Sequence, residues 1–241
     1  LLRARRGARP DLLLLEDRAL LATFEVTSTA DGGPGSLRDA IASAHTTPGD
    51  DTVTFSPLFN TPQTITLTSG QLVLTNSGAG NALTIQGPGA NLLSISGNNA
   101  SRVFYSYGGS ATLSGLRVTG GKATNGGGLY NRGGALTLTN CTVSGNSSTV
   151  RGGGLFNFFG ALTLTNCTVS GNSGGIGGGL FHFSGALTLT NCTVSGNSAS
   201  LGGGLYKRSG PATLTNCTVS GNSGGIGGGG LFNFFDAATL T

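Results

Sequence analysis

The amino-acid sequence predicts an all-β fold, a right-handed parallel β-helix (solenoid) of about 25 residues per coil with a short N-terminal capping helix. The main observation is a cassette, T-L-T-N-C-T-V-S-G-N followed by G-G-G-L and an aromatic residue, which recurs in the C-terminal half. Successive copies open at Thr137, Thr163, Thr188, Thr213 and Thr239, so the interval is nearly constant. A period of this size is typical of solenoids, whose repeats bury their apolar faces by stacking on one another.

A second observation is the alternation of apolar and polar residues within each cassette, which indicates β-strands. Leu138 lies between two threonines, and Val143 lies between a threonine and a serine. We therefore expect Leu138, Cys141, Val143 and Leu155 to point inward, while the flanking threonines and serines point outward. Each coil is predicted to contain two strands, a Gly-Asn turn, a variable loop and a third strand through Gly-Gly-Gly-Leu.

A third observation concerns the residue between the first two strands of each coil. Asn140 occupies this position, and Gly115 replaces it in the preceding copy. Because Asn and Gly adopt the left-handed backbone region at low cost, a tight corner is predicted here. Asparagine side chains stacked at this corner are expected to hydrogen-bond along the solenoid.

The chain divides into three predicted segments. Residues 1–22 carry five arginines and an apolar stretch interrupted by charge, so we expect a leader or a disordered segment. Residues 23–50 are predicted to form an N-terminal cap. Residues 51–241 are predicted to form the β-helix, truncated at its C-terminus inside a cassette. Short strands with looser spacing are predicted upstream at 64–67, 72–74, 83–85, 92–95 and 103–105.

Both ends of a solenoid expose an apolar cross-section that needs cover. At the N-terminal end, Ser36 is expected to N-cap a short helix that places Leu37 and Ile41 on one face, over the first coil. At the other end, the last coil stops at Thr241 and leaves open strand edges. Such an end favours further coils, a cap or end-to-end association of copies.

The distribution of charge excludes some partners. The formal net charge is +4, but between Thr52 and Phe235 there is no Asp or Glu and only seven Lys or Arg. Such a dilute positive field does not indicate nucleic-acid binding. No apolar run approaches the roughly 18 residues that a membrane helix needs, so no membrane-spanning segment is expected.

The cysteines occupy one position of the cassette. They are Cys141, Cys167, Cys192 and Cys217, and Leu116 fills the same position in the preceding copy. A position shared with Leu is expected to be buried, so free thiols in the core are predicted. Disulfides between stacked coils are the alternative, although parallel side-chain vectors match the required geometry poorly. The chain has no C-x-x-C pair and no paired histidines, so we expect no metal site and no cofactor.

These repeats resemble the polymorphic outer-membrane protein repeats of bacterial surface proteins, whose motifs are G-G-A-[IL] and F-x-x-N. Gly-Gly-Gly-Leu stands in place of the first motif, at 126–129, 152–155, 177–180, 202–205 and 228–231. Val143-Ser144-Gly145-Asn146 and its copies match the second motif loosely, with Val for Phe. Ser36-Leu37-Arg38-Asp39-Ala40 is similar to the C-S-L-R-E-A segment at the start of such proteins, and Leu15-Glu16-Asp17-Arg18 looks like a leader motif of large bacterial surface proteins. The resemblance implies a right-handed β-helix in the bacterial outer envelope or outside the cell, with adhesin-like roles.

The candidate binding residues are aromatic. Tyr130, Phe156, Phe181, Tyr206 and Phe232 follow the inward Leu of successive coils and are expected to form an outward stripe. A little further along each coil, Arg and Phe interchange at one position, so that position is predicted to be exposed. This adds Phe158, Phe159, Phe234 and Phe235 as surface rings that could bind a glycan or another surface protein. The alternative is that the rings stiffen the solenoid by stacking or cover a neighbouring loop.

The predicted function is a non-enzymatic cell-surface or secreted module with a structural or adhesin-like binding role. One alternative is an ice-binding solenoid that uses outward T-x-T columns, such as those of Thr137 and Thr139. A second alternative is a polysaccharide-active enzyme, but glycoside hydrolysis generally needs two carboxylates, which the coils up to Phe235 lack. His182 has no partner in the sequence pattern and is expected to be a solvated surface residue.

Overall fold

The computed structural model describes residues 21–75, 82–225 and 227–241, so the predicted leader lies almost entirely outside the described residues. The described chain forms a right-handed parallel β-helix with a short helix near its N-terminus, and the predicted fold class is confirmed. Every described strand pairs in parallel with the equivalent strand of a neighbouring coil. Among the described residues, no helix is long and apolar enough to cross a membrane.

The strands form four sheets that run along the solenoid axis. Sheet A contains Ala22–Val26, Asp51–Phe55, Ala82–Gln86, Ser110–Ser114, Ala135–Thr139, Ala161–Thr165, Leu187–Thr190, Ala212–Thr215 and Ala238–Leu240. Sheet B contains Gln63–Thr66, Leu93–Ser96, Arg117–Thr119, Thr142–Ser144, Thr168–Ser170, Thr193–Ser195 and Thr218–Ser220. Sheet C contains Leu72–Thr75, Phe104–Tyr107, Leu129–Arg132, Leu155–Phe158, Leu180–His182, Leu205–Lys207 and Leu231–Asn233. Sheet D contains Lys122–Asn125, Ser147–Arg151, Ser173–Ile176, Ser198–Leu201 and Ser223–Gly224.

The corner between sheets A and B has the predicted left-handed conformation. Asn140 has φ 53° and Gly115 has φ 59°. The amide of Asn166 donates to Asn140 Oδ1 at 3.3 Å, and the amide of Asn191 donates to Asn166 Oδ1 at 3.2 Å. The stacked corners therefore form the exposed asparagine ladder that the sequence predicts.

The apolar core lies inside the coils, between sheets A, B and C. Leu138, Cys141, Val143 and Leu155 are all buried, as the alternation predicts. Full burial of each aliphatic side chain is worth about 1.5–3 kcal/mol before the entropy cost of ordering the chain. The cysteines are free and stack in this core, where the hydrogen bond to Cys141 and burial raise the pKa of the Cys167 thiol to about 12. At neutral pH this thiol is protonated and acts as an apolar packing group.

Sheet D was not predicted, because its residues were expected to form a variable loop. The backbone of Ser147–Arg151 pairs with the equivalent segments before and after it, although the side chains differ from coil to coil. After this strand the chain turns at Gly152, which has φ 62°. A Cβ on Gly154 would lie 2.6 Å from the carbonyl oxygen of Gly179. Coil-to-coil backbone contact thus explains why Gly stands where the resembled motif has Ala.

The N-terminal segment adds a strand as well as the predicted helix. Ala22–Val26 pairs with Asp51–Phe55 and extends sheet A by one strand. The helix spans Leu37–Thr46, and the Ser36 hydroxyl accepts the backbone N–H of Asp39 at 3.1 Å, which confirms the predicted N-cap. Leu37 and Ile41 are buried against the first coils.

An ion pair fastens this cap to the first coils. Arg38 donates to Asp31 Oδ1 at 2.6 Å and to the carbonyl oxygen of Gly70 at 2.7 Å. The other oxygen of Asp31 accepts the backbone N–H groups of Thr68 and Ser69. Burial opposes ionisation, but these hydrogen bonds hold the pKa of Asp31 at about 2. The Arg of the S-L-R-D-A segment therefore has a structural role.

Candidate functional site

The predicted aromatic stripe lies on the outer side of sheet C. The rings of Tyr130, Phe156, Phe181, Tyr206 and Phe232 are in register from coil to coil. Neighbouring ring centroids along this column are 4.7, 5.3, 4.9 and 5.0 Å apart. These separations are typical of favourable aromatic pairs, so the column stiffens the sheet.

The middle of this stripe is buried, which corrects the expectation of an exposed column. Phe156, Phe181 and Tyr206 form a second apolar cluster, separate from the core. Ile176 and Leu201, both in sheet D, pack against this cluster. The strands of sheet D thus pack against the rings, which agrees with the alternative that the rings cover a neighbouring loop. Tyr130 and Phe232, at the two ends of the column, are half-buried.

The exposed rings lie at the edge where sheet C turns toward sheet A. Phe159, Phe234 and Phe235 are 58%, 54% and 54% exposed. Phe158 and Phe159 have centroids 4.5 Å apart, and those of Phe234 and Phe235 are 4.4 Å apart, both pairs edge-to-face. We call Phe158, Phe159, Phe183, Phe234 and Phe235 the aromatic edge.

One ring of the aromatic edge is held in an unfavourable backbone conformation. Phe159 has φ 59°, whereas Gly133 fills the equivalent position one coil earlier with φ 74°. A bulky side chain rarely occupies this region, because its Cβ crowds the backbone. Such strain persists where surrounding structure enforces it, and it is frequent at binding sites. Binding by Phe159 stays a prediction.

Arginine side chains flank the aromatic edge. The guanidinium carbon of Arg208 is 4.4 Å from the Phe183 ring centroid, and that of Arg151 is 5.6 Å from the Phe181 centroid. These distances are within the range of cation–π contacts. The alternation of Arg and Phe at one sequence position was the signal for Arg208. The sequence did not identify Arg151 or Phe183 as site residues.

A buried polar ladder runs beneath the aromatic edge. Asn131 Nδ2 donates to Asn157 Oδ1 at 2.7 Å, and Asn157 Nδ2 lies 3.0 Å from His182 Nδ1. His182 Nε2 lies 3.1 Å from the carbonyl oxygen of Gly185. This arrangement suits a neutral imidazole that accepts at Nδ1 and donates at Nε2. The expectation of a solvated His182 is wrong, since its side chain is inside the coil.

The next rung of this ladder is a buried lysine. Lys207 Nζ donates to Asn233 Oδ1 at 3.0 Å and to the carbonyl oxygens of Phe235 and Asp236. Burial lowers the pKa of His182 to about 4, against the opposing hydrogen bond to Gly185, and the Lys207 charge lowers it further. Burial also lowers the pKa of Lys207, although the Asp236 carboxylate opposes this. The ladder is therefore a structural element of the corner that carries the exposed rings.

Comparison with known protein families identifies the family of the chain. A family model described as a right-handed β-helix region matches residues 74–235, which is more than half of the chain. The chain belongs to the right-handed β-helix family. No curated protein matches the chain significantly.

This right-handed β-helix also carries regular threonine columns on the outer face of sheet A. One column passes through all nine strands and contains Thr23, Thr52, Thr84, Thr112, Thr137, Thr163, Thr188, Thr213 and Thr239. A second column contains Thr139, Thr165, Thr190 and Thr215 in its C-terminal half. Glu25 is the one charged side chain on this face among the described strands. The face is thus a regular, almost uncharged array of hydroxyl and methyl groups.

The remaining titratable groups of this β-helix do not gather into a metal site. Within the described ranges, no group of three or more His, Cys, Asp or Glu residues could hold a metal ion. Asp31 is engaged with Arg38, and the Asp236 carboxylate accepts the backbone N–H of Gly210 at 2.8 Å. Among the described residues, the candidate binding surfaces are the aromatic edge and the threonine face.

Proposed function

We propose that this β-helix is a non-enzymatic module of the cell surface or of a secreted protein, with a structural and adhesin-like binding role in the bacterial outer envelope. The aromatic edge carries the proposal, because it presents exposed rings on a rigid corner. Aromatic side chains bury about 150–250 Å² each and lose little conformational freedom on binding. The proposed partner is a glycan or another surface protein.

The scaffold beneath the edge supports this proposal. The rings follow sheet C, whose strands pair with both neighbours, and the buried Asn157–His182 rung holds the corner. A preformed surface loses less entropy on binding than a flexible loop does. The coils between Thr52 and Phe235 contain no carboxylate side chain that could serve as a general acid or base, which favours binding over hydrolysis.

A binding screen against glycans and host-surface proteins tests this proposal. The natural chain is compared with a variant in which Phe158, Phe159, Phe234 and Phe235 are replaced by Ser. We expect the variant to lose binding, because the apolar contact area is removed. Tyr107→Ser is a matched control, since Tyr107 is 52% exposed on the same sheet but outside the edge. Equal binding by the natural chain and the quadruple variant would refute the role of the aromatic edge.

Ice binding is a second candidate, which the nine-strand threonine column favours. The first members of this column are separated by more residues of sequence, and less regularly, than the later ones. Threonine therefore keeps this position even in coils that lack the regular cassette. Its hydroxyl groups repeat at roughly 4.8 Å between strands, and the two columns are roughly 6.6 Å apart along each strand. Thr is stiff at χ1, so the array holds water positions on a fixed lattice.

Thermal hysteresis measures this second function directly. We expect a gap between the melting and freezing points of the solution, and we expect Thr163→Lys to abolish it by placing a charge in the middle of the array. Thr168→Lys is the control, because Thr168 points outward from sheet B. A solution of the natural chain that freezes at its melting point would remove this candidate.

A further inference from the structure

The described arginines differ in what their guanidinium groups contact. Arg102 directs its nitrogens to backbone carbonyl and amide oxygens at 2.5–3.2 Å, so its donors are used within the fold. Arg151 and Arg208 donate no hydrogen bond to any residue that the structure describes. Each lies over a ring instead, that of Phe181 or that of Phe183. Two oriented guanidinium groups therefore retain free donors beside the aromatic edge.

Both arginines line one shallow cleft. Its volume is about 210 Å³, and it is lined by Arg151, Ile176, Phe181, Tyr206, Arg208 and Phe234. Drug-sized ligands occupy roughly 300–1,000 Å³, so this cleft suits a single ring of a longer molecule. Its wall combines aromatic rings, an aliphatic side chain and cationic donors.

The charged side chains that line the cleft have one sign. No Asp or Glu occurs between Thr52 and Phe235, so no acidic side chain of these coils neutralises Arg151 or Arg208. The Asp236 carboxylate, the nearest acid in the sequence, accepts the Gly210 N–H and lies toward Lys207. A guanidinium group binds carboxylate and sulfate oxygens in a bidentate manner, which neither a neutral sugar nor a cation can use.

We propose that this cleft binds one anionic residue of a polysaccharide, with its carboxylate or sulfate on Arg151 and Arg208. The apolar face of the same sugar ring lies on Phe234, whose side chain is 54% exposed. This inference rests on the proposed binding function, which it deepens by naming the class of ligand. The aromatic rings supply contact area that any glycan can use, and the two arginines select for negative charge.

Isothermal titration with three tetrasaccharides of equal length tests the inference. One carries a carboxylate on each sugar, one carries sulfate and one is neutral. We expect the two anionic probes to bind at least about tenfold more tightly than the neutral one, with affinity falling as salt rises. Arg151→Gln and Arg208→Gln should each reduce anionic binding about tenfold and leave neutral binding unchanged. Whichever anionic probe binds more tightly identifies the group that the arginines select.

Arg132→Gln provides the matched control. Arg132 lies in the same column as Arg208, over the Tyr107 ring and away from the cleft, and its loss changes the net charge equally. If all three substitutions weaken binding alike, the overall positive charge of the protein attracts the ligand, and the cleft is not the binding site. If neutral and anionic probes bind equally, this inference is overturned while the proposed binding function stands. If no tetrasaccharide binds but a surface protein still binds through the rings, the inference fails alone. If no partner of any kind binds, both fail.

Discussion

Each coil supplies one side chain to the buried polar ladder beneath the aromatic edge, and the residue type changes from coil to coil. His182 makes one rung of this ladder sensitive to pH. Asn131 and Asn157 fill the two preceding rungs, so the ladder begins as an amide chain. His182 continues it only in the neutral form, because a protonated imidazole could no longer accept from Asn157. Lys207, which occupies the following rung, adds a positive charge close to the ring. The stability of this rung therefore depends on pH.

We expect the natural chain to lose stability as the pH falls from about 6.5 to about 4. In this window the unfolded His182 binds a proton and the folded one does not, so protonation favours unfolding. The difference between an unfolded pKa of 6.5 and a folded pKa of about 4 corresponds to about 3 kcal/mol once the pH is below 4. Urea unfolding at pH 7 and pH 4.5 measures it, and His182→Asn should remove this share of the pH dependence. An unchanged pH dependence in that variant would show that His182 is not the titrating group.

At the scale of the elements, two asparagine ladders run along the solenoid and differ in burial. The ladder at the corner of sheets A and B is exposed, whereas a second one, through Asn146, Asn172 and Asn197, is buried where sheet B meets sheet D. Asn172 Oδ1 accepts both the backbone N–H and the side-chain amide of Asn146, at 3.0 and 2.9 Å. Its own amide donates to the Val143 carbonyl oxygen at 2.9 Å. The ladder of Asn146, Asn172 and Asn197 thus provides hydrogen-bond partners for polar groups that are buried from water.

We expect Asn172→Ala to destabilise the fold far more than a change in the exposed ladder. The substitution leaves the buried backbone N–H of Asn146 without its acceptor, at a cost of about 1–3 kcal/mol for the unsatisfied group, whereas the side-chain amide of Asn146 keeps the carbonyl oxygens of Val118 and Ser144. Asn166→Gly is the matched control, because glycine keeps the left-handed conformation at φ 52° and loses only exposed hydrogen bonds. Thermal or urea unfolding compares the two variants. Equal destabilisation of the two variants would mean that the buried Asn172 contributes no more to stability than Asn166 in the exposed ladder.

At the scale of the whole molecule, each coil contacts mainly its neighbours, so stability is approximately a sum over coils and coil–coil interfaces. Ala161 and Leu162 of one coil have the same surroundings as Ala186 and Leu187 of the next. The segment 162–186 is therefore one complete unit of the repeat, bounded by equivalent positions in sheet A.

We expect deletion of residues 162–186 to yield a folded, shorter and somewhat less stable β-helix. The join places Leu187 directly after Ala161, which preserves the inward and outward alternation of every strand. Deletion of residues 162–185 is the control, because the extra residue at the join disturbs the register in which alternate side chains face the core. Circular dichroism and thermal unfolding distinguish the two chains. Equal stability of both would contradict the register argument.

Much of this architecture could be predicted from the sequence, because a solenoid encodes its contacts locally. The regular repeat with alternating Leu and Thr predicted the coil, and the Asn140 position predicted the left-handed corner. The inward Cys141 and the Ser36 N-cap were predicted in the same way. In each case the contact is local: strand alternation or stacking on the same residue of the next coil sets it, and for Ser36 the helix that directly follows sets it.

Burial of residues outside the core depended on the tertiary structure instead. Phe156 points outward from its strand, yet sheet D covers it, and sheet D has no periodic side-chain signal. His182 is a different case: it stands two residues after the inward Leu180, so strand alternation itself places it inside the coil, although Asn and Lys at this position of other coils suggested a solvated residue. Arg151 reaches the cleft from a segment that the sequence predicted as a loop. The sequence by itself determined the winding of the chain and its repeating core. Only the path of the backbone between strands decided which outward side chains are covered, because that path brings together residues of different coils and sheets.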